Sequence, residues 1–113
     1  MRHRSWKWLE DARQSVLFIL GATEGKSIDD YRSQPMLKAA VERHFEIIGE
    51  AVRRLSKHDP EVTSVIKDYQ QIIAFRNVLI HGYDLINDEQ VWRVIRENLP
   101  TLLETRNKML KLA

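Results

Sequence analysis

The sequence predicts an all-α chain folded as an antiparallel bundle of four to five helices. Apolar residues recur at three- and four-residue intervals over long stretches, and glycine and proline fall near the ends of those stretches. Nowhere does an apolar–polar alternation of strand type occur. At 113 residues the chain suffices for one core and one domain, residues 1–113, and its 43% hydrophobic and 30% charged residues are ordinary for a helical protein.

Trp8, Leu9, Ala12, Val16, Ile19 and Leu20 make the inner stripe of a first helix from Ser5 to Leu20, stopped by Gly21 and Gly25. The segment from Ile28 to Arg32 is polar and short, a turn or a single helical turn. Ser33-Gln34-Pro35 opens a second helix with proline at its first position, running to about Leu55. Its inward positions are Leu37, Ala40, Val41, His44, Ile48, Ala51, Val52 and Leu55, and Phe45 and Ile47 widen the stripe toward a second neighbour. Gly49 costs this helix roughly 1 kcal/mol relative to alanine, which marks a place where another helix crosses closely.

After a connection in which Asp59 and Pro60 offer a helix start, a third helix ends at Gly82 and buries Val65, Tyr69, Ile72, Arg76 and Leu79. Asn87-Asp88 caps a fourth helix, with Val91, Trp92, Ile95, Leu99, Leu102, Leu103, Met109 and Leu110 on its inner side. Pro100 should kink or divide that helix, because it removes a backbone donor and crowds the preceding turn.

Composition excludes several classes of function. There is no cysteine, hence no disulfide, thiolate nucleophile or sulfur-bound metal. The apolar runs are too short to span a bilayer and Met1-Arg2-His3-Arg4 does not resemble a signal peptide, so the expectation is a cytoplasmic protein with no membrane partner. His3, His44 and His58 are scattered without ligand spacing, and neither metal nor cofactor is expected. A net charge of +2 permits nucleic-acid binding without demanding it, so such a function must rest on a local site.

That site is sought in Arg76-Asn77-Val78-Leu79-Ile80-His81-Gly82-Tyr83. Arg76 falls where a core residue belongs, and a buried guanidinium demands a carboxylate partner or a solvent-filled cleft. Glu46 and Glu50 of the second helix are the candidate carboxylates. His81 follows five positions on, with a side chain that both takes and gives protons near neutral pH. Five helical positions amount to about 500°, which leaves the two side chains about 140° apart. They converge only if the last turn unwinds near Gly82, a usual residue for a left-handed helix end. Two readings of the pair stand at this point. In one, His81 caps a helix and Arg76 snorkels from the core edge. In the other, Arg76 grips a phosphate, His81 moves a proton to or from a ribose hydroxyl, and Asn77 holds one of them in place.

The chain resembles the HepT-type toxins of the HEPN superfamily over most of its length. The resemblance is carried by Leu9-Glu10-Asp11, by Phe45-Glu46-Ile47-Ile48-Gly49-Glu50-Ala51, by the Arg76–Tyr83 segment with its Arg-x4-His-x-Tyr spacing, and by Val91-Trp92 with Asn98-Leu99-Pro100. Asp68-Tyr69 departs from a Pro-Trp pair often found ahead of the motif, a difference of packing rather than chemistry. The resemblance implies a HEPN-like bundle that forms a two-fold homodimer, and a metal-independent endoribonuclease with Arg76 and His81 in the catalytic positions of a cleft at the dimer interface. It further implies an RNA substrate, and a partner in an MntA-like nucleotidyltransferase antitoxin that transfers AMP to Tyr83, with assembly into larger complexes left open. The alternative function is a non-catalytic helical subunit that binds a minimal nucleotidyltransferase.

Overall fold

The computed structural model describes residues 3–104, apart from the side chains of His3 and Tyr83. Every regular element among these residues is helical, as the apolar spacing predicts. Three long helices carry the core: α1 (His3–Thr23), α3 (Pro35–His58) and α5 (Tyr69–His81). Short α2 (Ile28–Ser33) and α4 (Pro60–Thr63) join them, and α6 (Asp88–Arg93) leads the C-terminal helical region.

The helix ends follow local chemistry. α1 runs past Gly21, because Thr23 is fully buried and its hydroxyl donates back to the Ile19 carbonyl at 2.8 Å. The stop comes at Gly25, whose φ of +71° suits a residue without Cβ. Ser27 and Asp30 form a reciprocal capping box for α2, so the segment from Ile28 becomes a true short helix. Pro35 occupies the first turn of α3, where its missing N–H costs nothing. Asn87 caps α6 by accepting from the backbone N–H groups of Glu89 and Gln90.

α3 is the axis against which α1 and α5 both pack. Its antiparallel course beside α1 is fixed by two cross-contacts: Ser5 donates to Asp59 at 2.8 Å, and Ser15 meets His44 Nδ1 at 3.0 Å. Val41, Phe45, Ile48 and Val52 join Val16, Ile19 and Leu79 in the main core, while Ala51 and Leu55 join Trp8, Leu9 and Ile66 in a second cluster toward the other end. His44, expected inside, is only half buried and stacks on the exposed Phe18 ring at 4.0 Å.

One expectation fails for a backbone reason. Val65 fits the helical period of the third helix but lies outside α5 and is 52% exposed, and Ile66 takes the inward position. The helix cannot extend back through 65 because Asp68, just before α5, has a left-handed φ of 59°. Pro100 does not end the C-terminal helical region, but the α-helical pattern is interrupted just ahead of it. A wider π-helical turn over Val94–Asn98 precedes it, and the helix continues through 99–104. Met109 and Leu110, expected on this helix, lie outside the described residues. No helix among the described residues is long and apolar enough to cross a membrane.

Candidate active site

Arg76 reaches its place through a close crossing of α5 over α3 at Gly49. A Cβ on Gly49 would overlap Arg76 Cβ and stand 2.7 Å from its Cγ, so the absence of a side chain there lets the arginine stem lie on the α3 backbone. The close approach read from the cost of Gly49 is therefore an approach to Arg76 itself.

The guanidinium then meets two acceptors. Arg76 Nη2 pairs with Glu50 Oε2 at 3.1 Å, and Arg76 Nη1 donates to Asn77 Oδ1 at 3.1 Å. The side chain is 20% exposed, so both solutions that the sequence left open, a counter-charge and an open cleft, are present together. Glu46 does not take part, since it pairs with Arg43 at 3.2 Å. Asn77 holds the arginine of the two motif residues.

Glu50 serves more than Arg76. Arg53 approaches it with Nε at 3.0 Å and Nη2 at 2.8 Å, and Arg54 donates from Nε at 2.9 Å. The hydrogen bond from Arg53 comes first in holding this carboxyl down to about 2, followed by the hydrogen bond from Arg54 and the charges of Arg53 and Arg76, against a desolvation that opposes them. One carboxylate among three guanidinium groups leaves a local surplus of positive charge. The i+3 and i+4 spacing of Arg53 and Arg54 from Glu50 is visible in the sequence, but an ordinary solvated helix face shows the same spacing.

A cleft of about 280 Å³ opens over this cluster, bounded by Lys7 and Trp8 of α1, Ile47 and Arg54 of α3, and Arg76 and Ile80 of α5. A larger cavity of about 490 Å³ lies between α3, α5 and the C-terminal helical region, and neither Arg76 nor His81 lines it.

His81 is the last residue of α5 and is exposed. The unwinding that would swing it toward Arg76 does not occur: the Gly82 N–H donates to the Val78 carbonyl at 2.8 Å, closing a regular α-helical turn. Gly82 has φ −109°, so the helix does not end in the left-handed conformation. A 3-10 turn over Tyr83–Leu85 ends the helix instead, closed by the Leu85 N–H on the Gly82 carbonyl at 2.7 Å. Arg76 and His81 thus stay on different faces of α5, about 140° apart by helix geometry, and His81 does not line the cleft. Tyr83 starts the 3-10 turn two residues beyond His81, and its side chain lies outside the described part. Among the described residues no group of three or more His, Asp or Glu could hold a metal ion.

Comparison with known proteins places relatives beside this geometry. The family described as Ribonuclease HepT-like matches residues 12–109. A "Putative RNase" of Caldanaerobacter subterraneus subsp. tengcongensis is 35% identical over 84% of this chain and 84% of its own length. A second "Putative RNase", from Methanocaldococcus jannaschii, is 27% identical over 84% of this chain and 86% of its own. The "Probable ribonuclease HepT" of Thermococcus cleftensis is 25% identical over 98% of this chain and the whole of its own. No solved structure gives a significant match.

Proposed function

Starting from a chain that belongs to the Ribonuclease HepT-like family, we propose that it is an endoribonuclease, the toxin of a toxin–antitoxin pair, cutting RNA without a metal ion through Arg76 and His81. The observation that carries this reading is the placement of Arg76. A guanidinium is held at the core edge by Glu50 and Asn77, over a helix crossing that only glycine permits, and it faces a cleft with surplus positive charge. Such a group is an anion receptor, and the RNA phosphate is the anion.

The chemistry is transesterification by the ribose 2'-hydroxyl. A base removes the hydroxyl proton as the 2'-oxygen–phosphorus bond forms. The bond from phosphorus to the 5'-oxygen breaks, and an acid protonates that oxygen. The products are a 2',3'-cyclic phosphate and a 5'-hydroxyl end. Arg76 neutralises the charge that builds on the phosphorane-like transition state.

One chain offers one His81 for two proton transfers, and carries it on a different face of α5 from Arg76. The complete site therefore belongs to a two-fold homodimer in which both copies contribute His81 and Arg76 to one cleft. One His81 acts as base and the other as acid. Mixing wild-type chains with His81→Ala chains tests this. Shared sites predict that activity falls faster than the wild-type fraction, whereas full activity per remaining wild-type chain contradicts them.

Silencing is assigned to an MntA-like nucleotidyltransferase partner acting on Tyr83. The phenol oxygen attacks the α-phosphorus of ATP, a tyrosine–phosphorus bond forms, pyrophosphate leaves, and the phenol proton passes to solvent. Two residues from His81, the attached AMP places a bulky anion where substrate phosphate is to bind.

A further inference from the structure

The positive surplus of the cleft is not spread along its walls. Lys7 is matched by Asp11 at 3.4 Å and Arg43 by Glu46 at 3.2 Å, so these cations are balanced one for one. Among the described residues, only at Glu50 does one carboxylate face three guanidinium groups, those of Arg53, Arg54 and Arg76.

The three are not equivalent. Arg53 spends Nε and Nη2 on Glu50, is 34% exposed, and is not part of the cleft lining. Arg76 gives one N–H of each Nη, to Glu50 and to Asn77, and keeps the second on each for the scissile phosphate. Arg54 gives Glu50 only its Nε, is 54% exposed and lines the cleft. Its hydrogen bond to Glu50 fixes the plane of the guanidinium, and its two Nη groups carry no hydrogen bond among the described contacts. That is a preorganised donor pair beside Arg76, because both arginines hold oxygens of the same carboxylate.

We propose that Arg54 binds an RNA backbone phosphate adjacent to the one gripped by Arg76, so that Glu50 sets the spacing of two successive phosphate contacts. The proposal rests on the ribonuclease reading above and deepens it with a substrate-binding residue outside the Arg-x4-His-x-Tyr segment. A phosphate held beside the scissile one contributes binding that is alike in ground and transition states, so its loss raises KM and leaves kcat nearly unchanged. It also carries a counterion signature. Each phosphate contact to a single strand contributes about 0.7 to the slope of log affinity against log salt.

The test measures binding of a short single-stranded RNA to the His81→Ala chain over a salt series, with and without Arg54→Ala or Arg54→Gln, and cleavage kinetics in chains that keep His81. Arg54 is an exposed helix-surface residue, so both variants are expected to fold, which thermal melting checks. The proposal predicts that affinity falls about tenfold or more, that the salt slope drops by about 0.7, and that the change in kcat/KM lies in KM. Arg93→Ala removes the same charge from α6, which lines no part of the cleft, and leaves slope and KM as they were. An Arg54→Ala chain with unchanged slope and KM overturns the proposal. So does one whose kcat falls at constant slope, because Arg54 then acts only by holding Glu50. Failure of the ribonuclease reading is separate: it appears as no cleavage by the chain with His81 intact, while the binding series still decides the role of Arg54.

Discussion

Gly49 and Arg76 lie in direct contact: the Cβ that any other residue would carry at position 49 overlaps the Cβ of Arg76. The backbone of α3 is therefore part of the wall that positions the guanidinium, and the helix crossing and the anion site are one feature.

Gly49→Ala consequently destabilises the chain although alanine is the better helix former. The overlap lies at the root of the arginine side chain, which cannot swing away, so α3 and α5 must part. Overpacking of this kind costs about 1–3 kcal/mol, against a gain of under about 1 kcal/mol from helix propensity. Thermal unfolding should show a lowered Tm, and RNA cleavage should fall with it. A chain that melts at the wild-type temperature or above would show that the crossing relaxes freely.

Glu50 makes stability sensitive to acid. Its folded-state value is lowered from 4.5 to about 2, the first cause being the hydrogen bond from Arg53. A depressed carboxyl stabilises the fold above its ordinary value, and that contribution is lost as pH falls from about 4.5 toward 2. Because the carboxylate is partly solvated, the effect stays within about 1 kcal/mol. Melting curves of wild type and Glu50→Gln should differ at pH 7 and draw together toward pH 2. Parallel curves over the whole range would mean that the cluster does not couple to folding.

Tyr83 is the residue on which silencing is expected to act. Incubated with ATP and its nucleotidyltransferase, the wild-type chain should gain AMP mass and lose cleavage. Tyr83→Phe should gain no mass and stay active. Full silencing of Tyr83→Phe, with AMP found elsewhere, contradicts the assignment.

What the sequence revealed depended on how local each signal was. Pro35 and Asn87 announce helix starts because their effect is confined to one turn, and both helices begin as expected. Gly49 announces a crossing because glycine inside a helix carries its own cost. The identity of the counter-charge was not legible, since Glu46 and Glu50 differ only in where α5 passes over α3, a register that no local pattern encodes. Val65 was misplaced for a related reason: the helical period fits it, but the left-handed break at Asp68 uses a residue that is no strong marker of such a turn. The separation of Arg76 from His81 turned on whether one hydrogen bond, Gly82 to Val78, would form. Arg54 carries no signal of its own in the sequence, because its i+4 spacing from Glu50 is what any solvated helix face shows.

The most direct measurement is cleavage of a total RNA pool by the purified chain in excess EDTA, beside His81→Ala and Arg76→Ala chains, with an intact mass taken on each preparation. The account predicts cleavage by unmodified wild type alone, leaving 2',3'-cyclic phosphate and 5'-hydroxyl ends. No cleavage from a folded chain free of AMP, or equal cleavage by the His81→Ala chain, would contradict it.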